Sequence, residues 1–304
     1  MKTIQSPSTG TKYVSPQELA NNQIEHEQTI IKAVLKKFDI LIDRVTNFAT
    51  SESGIFKGII VTGPPGTGKS FTIGNALAAV GKLLGKTIFQ KITGDISAVG
   101  LYACLHKNNQ KNRILWFDDC AGLLDNETCL EILKAVTNRT NEPRTVMWTK
   151  QRSKYFETNN IPNEFNYHGH IIISTNKSVM PADQTPKMRD HFGAIISRMP
   201  PTDLTLSREE GFIYTKYLIE NGGMLDEKCV SLIGGYSAEV KTDTLEFLYE
   251  NQDNIHEISP RQADAIAGFR HEYGPENGYE DRPEYWKDVA AEGIGMYLEG
   301  IADV

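Results

Sequence analysis

The sequence predicts an α/β fold: a three-layer αβα core around a five-stranded parallel sheet, followed by a small all-helical domain. Three observations predict it. Short, continuously apolar runs alternate with helical segments between residues 58 and 206, the pattern of strands covered on both faces. After Ser207 no strand pattern recurs, and four helical segments follow with short polar joints. A glycine-rich turn joins the first apolar run to the first helix of the alternating part.

The elements follow in order. Residues 1–15 are polar and rich in Ser, Thr and Gly, as in a flexible lead-in. Ser15-Pro16-Gln17-Glu18 reads as a helix start, with Ser at N-cap, Pro at N1 and Glu at N3. Ile30, Ile31, Val34, Leu35, Phe38, Ile42 and Val45 have helical spacing in a second stretch, and 46–57 reads as a connector. Strands are expected at 58–62, 87–92, 113–118, 169–174 and 204–206, with helices at 69–84, 97–107 and 127–138 between them. The later helices are expected at 208–220, 238–251, 261–272 and 283–298. The chain therefore divides into N-terminal lead-in and helices (1–54), an αβα core (55–206) and a helical domain (207–304).

Hydrophobic residues make up 39% and charged residues 23% of the chain, ordinary globular usage that argues against disorder. The net charge of -7 argues against a surface wrapped everywhere in nucleic acid, but leaves room for a local basic site. Cys104, Cys120, Cys129 and Cys229 form no C-x-x-C pair and read as reduced, packed thiols of a cytosolic protein. The N-terminus has no apolar signal core and no stretch is long enough to span a membrane, so a cytoplasmic protein is expected.

The turn after the first strand reads Gly63-Pro64-Pro65-Gly66-Thr67-Gly68-Lys69-Ser70, with Phe71 in the helix it opens. In the pattern G-x-x-x-x-G-K-[ST] the glycines let backbone N–H groups face phosphate oxygens. Lys69 reaches the β- and γ-phosphates, and the Ser70 hydroxyl ligates Mg²⁺. The helix N-terminus adds favourable partial charge. ATP with Mg²⁺ is the expected ligand. The run Arg113-Ile114-Leu115-Trp116-Phe117-Asp118-Asp119 delivers two carboxylates to the carboxyl edge of the sheet, beside that turn. There Asp118 can hold Mg²⁺ with Ser70, and Asp119 can orient or deprotonate water. A pair of turn-capping aspartates is the plainer alternative.

His170-Ile171-Ile172-Ile173-Ser174-Thr175-Asn176 is a further buried-strand pattern ending in an amide. Phosphate loop, acidic strand end and Asn-ended strand, in this order, resemble an AAA+ ATPase over about residues 55–304. The segments ITGDISAVGLYACL and FNYHGHIIISTN are most similar to AAA+ proteins encoded by bacteriophages. The resemblance implies that Asn176 positions the lytic water. It implies that Arg198, in Ile195-Ile196-Ser197-Arg198, is the arginine finger reaching a neighbouring subunit's nucleotide, with Arg189 as the alternative. It makes the helical domain a lid whose Arg261, in Ser259-Pro260-Arg261, contacts the γ-phosphate. It also implies a homo-oligomeric ring, a hexamer by the family's habit, with sites shared between subunits. One departure stands out: the family usually carries Asp-Glu where this chain has Asp118-Asp119.

The client is less legible. The stretch 143–156 carries Arg144, Lys150, Arg152 and Lys154 with Trp148, Tyr155 and Phe156 and no acid. A hairpin here would set Arg144, Trp148, Lys150, Arg152 and Lys154 as candidate nucleic-acid contacts, cations tracking phosphates and aromatics stacking on bases. A solvated edge hairpin is the plainer reading. DNA and other replication proteins are the partners of the first reading, as for a replication or recombination motor or a helicase loader. Two others compete: a protein-remodelling chaperone like the MoxR group, and a slow nucleotide-dependent structural ring. The stretch Ile92-Thr93-Gly94-Asp95-Ile96-Ser97 has no aromatic with which to grip a polypeptide.

Overall fold

In the computed structural model, which describes residues 16–51, 55–120, 122–139, 143–226 and 235–295, the apolar runs expected as central strands lie side by side. They are β1 (Gly58–Thr62), β3 (Ile114–Asp118) and β6 (His170–Thr175), each buried along its whole length. With β2 (Phe89–Thr93) and β7 (Pro201–Asp203) they form one five-stranded sheet in the order β2-β3-β6-β1-β7. Every neighbouring pair is parallel.

The pleat divides the side chains between two cores. Ile60, Leu115, Phe117, Ile171 and Ile173 point into one, covered by α3 (Ala98–Lys107), α4 (Glu127–Val136) and α6 (Pro186–Arg198). Ile59, Val61, Ile114, Trp116 and Ile172 point into the other, covered by α2 (Lys69–Leu83) and α1 (Pro16–Thr50). Apolar alternation of this kind, with both faces filled, is what makes the strands read as unbroken hydrophobic runs.

The two N-terminal helical stretches are one helix of 35 residues. Val34, Phe38, Leu41, Val45 and Phe48 recur at helical spacing and enter the second core, so this helix closes a face of the sheet. Phe38 stacks on Tyr214 at 4.8 Å, and Lys216 pairs with Glu27 at 2.9 Å. Both contacts tie α1 to α7 (Arg208–Glu220), the first helix beyond the sheet.

The fifth strand lies at Pro201–Asp203 and pairs with Ile60–Thr62, three residues before the strand expected at 204–206. Edge position explains how a strand can begin with proline. The helix α6 and a two-stranded antiparallel ribbon were not foreseen in full. The ribbon pairs β4 (Arg144–Met147) with β5 (Glu164–Tyr167), and α5 (Lys154–Thr158) sits in its connection. After α7 come α8 (Ala238–Glu250), α9 (Pro260–Tyr273) and α10 (Tyr285–Gly293), packed around a third core containing Phe247, Ile266 and Trp286. The lead-in 1–15, Cys229 and the end of the last expected helix lie outside the described residues. Cys104 and Cys120 are half-buried free thiols and Cys129 is buried.

Candidate active site

Strand order sets the site. The strand ending at Asn176 lies between the strand that feeds the phosphate loop and the strand that ends in Asp118. Register aligns Thr62 with Thr175 and Asp118 with Ser174, so all three strand ends reach the carboxyl edge together. Helix α2 starts at Lys69 directly after Gly68, whose φ is 94°. Gly66 has φ 78°, and a Cβ there would stand 2.6 Å from Ser259 Oγ and 2.9 Å from Arg261 Cβ. Only glycine satisfies both that backbone and that approach.

The polar groups are interlocked. Lys69 Nζ donates to Gly63 O (2.7 Å), Pro64 O (2.6 Å) and Asn176 Oδ1 (2.7 Å). Asn176 Nδ2 donates onward to Asp119 Oδ2 at 2.7 Å. One amide thus connects the phosphate-loop lysine to the carboxylate expected to handle water. Asp119 has φ 52°, and its N–H donates to Ser174 O at 2.9 Å. This left-handed residue turns the second carboxylate away from the strand axis toward Asn176.

Asp118 is nearly buried and accepts from three donors. Ser70 Oγ (2.7 Å) and Ser174 Oγ (2.5 Å) donate to Oδ1, and Lys91 Nζ stands 2.6 Å from Oδ2. Trp116 Nε1 donates to Ser174 Oγ at 2.7 Å, and Lys91 Nζ lies 4.5 Å from the Trp116 ring centroid. Burial alone would raise the Asp118 carboxyl, but hydrogen bonds from Lys91, Ser174 and Ser70 outweigh it and hold the group below the usual carboxylate range. Asp118 is therefore charged at neutral pH. Burial lowers the Lys69 amine, against the charges of Asp119 and Glu257.

Pro65, Gly66, Gly68, Lys69, Ser70, Phe71, Asp118, Asp119, Asn176 and Arg261 line one pocket. Arg261 comes from the start of α9, so the helical part supplies one wall. Near it Glu257 carries a carboxyl raised by burial, against the pull of Lys69, His256 and Arg261. Among the described residues, Glu257 Oε1 and Gln262 Oε1 are buried without a hydrogen-bond partner. The donor set fits the expected ligand. Backbone turned by glycine faces a lysine, and the Ser70 hydroxyl touches a charged carboxylate, the hard oxygen pair that Mg²⁺ takes.

Arg198 does not line this pocket. It ends α6 at the opposite end of the sheet from its own phosphate loop, donating to Ala194 O at 2.7 Å. Arg189 lies exposed on the same helix. Lys91, Trp116 and Ser174 are site members that the sequence reading passed over. Lys91 faces Trp116 across the β2–β3 register, a non-local pairing. The signal available was the strand period: Trp116 and Asp118 share one face.

Two of the candidate nucleic-acid contacts are corrected. Arg144 is 3% exposed, donates to Val136 O at 2.6 Å and lies over the Tyr167 ring. Trp148 is 9% exposed and packs edge-on against Tyr102 and Phe156. Residues 144, 146 and 148 alternate inward, so Arg144 and Trp148 share a face with Val146 and belong to the core. Lys150, Arg152 and Lys154 remain exposed, beside a half-exposed Tyr155. Tyr102, against which Trp148 packs, is wholly buried. His170 begins β6 and is buried, whereas His168, two residues before it, is exposed.

No protein-family model matches the chain. An uncharacterized 36.7 kDa protein from the nrdC-mobD intergenic region of Enterobacteria phage T4 is 29% identical over 219 residues, covering 71% of this chain and 64% of that protein. This chain thus spans less than two thirds of the length of its curated relative. Among solved structures, the Aeropyrum pernix ORC2 protein in its ADP form aligns over 86% of this chain and 69% of its own, with TM-score 0.49 and 13% identity. The Thermotoga maritima RuvB Holliday junction branch migration motor aligns over 86% and 68%, with TM-score 0.46 and 14% identity. The chain resembles AAA+ P-loop ATPases, and its own strand order and site residues carry that resemblance.

Proposed function

We propose that this chain binds ATP with Mg²⁺ between the phosphate loop, the Asp118 strand and the start of α9, and hydrolyses it to ADP and phosphate. The observation that carries the reading is the chain of contacts Lys69–Asn176–Asp119, set beside Ser70–Asp118. Lys69 would neutralise the β- and γ-phosphate oxygens, while Ser70 and Asp118 would hold the metal, which supplies charge neutralisation at those oxygens. Asp119, held by the Asn176 amide, would accept the proton of the attacking water. Arg261 would contact the γ-phosphate from the helical wall. Arg198 does not line its own pocket, so its part as a finger requires a second copy and a ring with shared sites.

Turnover in this reading drives work on nucleic acid, as in a phage replication or recombination motor or a helicase loader. Lys150, Arg152 and Lys154 on the ribbon connection support it. The β2–α3 joint, Gly94-Asp95-Ile96-Ser97, holds no aromatic and disfavours a polypeptide-gripping remodeller.

Purified protein should bind a fluorescent ATP analogue and release phosphate. Asp119→Asn should retain binding and lose about 100-fold or more in turnover, the usual worth of a general base. Lys69→Ala should weaken binding itself by about 10-fold or more, the loss of one charged hydrogen bond. Normal turnover in Asp119→Asn would refute the assigned base.

A further inference from the structure

Residues 53–117 hold eight Lys or Arg and a single acid, Asp95, in a chain whose net charge is -7. Two of those cations, Lys69 and Lys91, serve the candidate active site. Five of the others gather at the opposite end of the sheet. Lys82 and Lys86 flank the α2–β2 joint, and Lys107, Lys111 and Arg113 flank the α3–β3 joint. Those joints touch: Ile114 N donates to Ile88 O at 2.9 Å, and Arg113 Nη1 donates to Thr87 O at 2.8 Å.

Several lysines elsewhere have carboxylate partners, as in Lys37–Glu210, Lys134–Glu131 and Lys187–Glu127. Among the described residues none of Lys82, Lys86, Lys107 and Lys111 forms such a pair, and all four are exposed. Helix carbonyl ends account for part of this, because Lys82 and Lys107 stand in the last turns of α2 and α3. They do not account for Lys86 and Lys111, which lie beyond those turns. Neighbouring strands are about 4.8 Å apart, so the two joints act as one charge cluster within the Debye length of about 8 Å.

We propose that this amino-terminal edge of the sheet is a nucleic-acid contact surface that takes the phosphate backbone, on the side of the core away from the candidate active site. It rests on the reading that the chain acts on nucleic acid, and gives that reading a surface. The chemistry fits phosphate better than an acidic protein. Lys86, Lys111 and Arg113 line one open pocket with Gln110 and Asn112, the side-chain types that contact phosphate. A protein partner needs apolar anchors at its centre; the one aliphatic side chain lining this pocket, Ile88, is buried, and the exposed Leu83 and Leu84 lie outside the pocket, between Lys82 and Lys86.

The test is fluorescence anisotropy of a labelled single-stranded oligonucleotide with the full chain, from about 50 to about 200 mM salt. Lys86→Glu/Lys111→Glu should weaken binding at least tenfold. The neutral pair Lys86→Gln/Lys111→Gln should lower the slope of log affinity against log salt by about 1.4, or about 0.7 per lost phosphate contact. Basal ATP turnover and thermal unfolding should match the unaltered protein. Unchanged affinity and slope in both variants overturn the proposal. If Lys150→Glu/Lys154→Glu alone loses binding, the edge is refuted while the nucleic-acid reading stands. If the unaltered protein binds no strand even at the lowest salt, that reading falls, and the edge with it. An edge variant that changes sedimentation but not strand binding marks a self-contact and also refutes the proposal.

Discussion

The two ends of the sheet handle charge in opposite ways. At the carboxyl end the charges are locked into two adjoining hydrogen-bonded sets, Lys69–Asn176–Asp119 and Asp118 with Ser70, Ser174 and Lys91. At the amino end Lys86 and Lys111 stand exposed, with no acid paired to them among the described residues. The first arrangement is self-sufficient and can be opened by a ligand that offers better partners. The second is incomplete and calls for an anion from outside. The same α/β topology thus gives an end suited to chemistry and an end suited to attachment, because loops at the two ends are built from different residues.

The largest expected effect crosses from one end to the other. Arg198 belongs to the amino end of its own sheet yet is assigned to another copy's carboxyl end. Arg198→Ala should lower turnover by about 1000-fold with ATP binding intact, the scale of an arginine finger. Mixing Arg198→Ala with Lys69→Ala protein should restore part of the activity. Full activity of Arg198→Ala, or of a monomer, would remove the crossing.

His170 reports on the amino end. Burial and then the positive charges of Arg144 and Lys57 lower its pKa from 6.5 to about 4. Between pH 6.5 and 4 the unfolded chain takes the proton and the folded chain does not, so stability falls as pH falls through that window. Denaturant titrations should show a loss of up to about 3 kcal/mol across it, and His170→Asn should flatten the profile. A His170 imidazole that titrates near its ordinary value by NMR would contradict a buried, positively charged amino end.

The smallest effect probes the locking of the carboxyl end. Lys91 is partly exposed, so its pair with Asp118 is worth about 1 kcal/mol or less. Lys91→Met leaves Asp118 without that cation, and Mg²⁺ should then bind the nucleotide-loaded protein about fivefold more tightly. The quenching of Trp116 fluorescence during a Mg²⁺ titration, with Trp116→Phe as the blank, measures this. An unchanged midpoint would show that Lys91 does not compete for Asp118.

Much of the fold was legible because its signals are local. The strands β1, β3 and β6 are unbroken apolar runs, and residues 63–70 have a spacing that only a phosphate loop requires. Helix α6 was missed although Thr185-Pro186 is a fair helix start, because its apolar residues Met188, Phe192, Ile195 and Ile196 are interleaved with charges. The merger of the first two helical stretches was missed because the joint between them lacks a breaker, and absence of a signal is easily overlooked. Arg144 and Trp148 were misplaced for a different reason. Their charge and aromaticity suggest a solvent-facing surface, but the strand period of two sets them beside Val146 in the core. Contacts such as Lys91–Asp118 depend on which strands become neighbours, and no local pattern encodes that.

The helix α1 bears on how the protein can be shortened. A cut before residue 55, natural if the phosphate loop is taken to mark the start of the catalytic unit, would strip Val34, Phe38, Leu41, Val45 and Phe48 from the sheet. At roughly 1.5–3 kcal/mol for each fully buried apolar side chain, that loss rivals the whole stability of an ordinary domain, about 5–15 kcal/mol. Phe38 also stands 3.8 Å from the point where a Cβ on Gly68 would be. A trimmed fragment would therefore lose the backing of its own phosphate loop, and its inactivity would say nothing about the site.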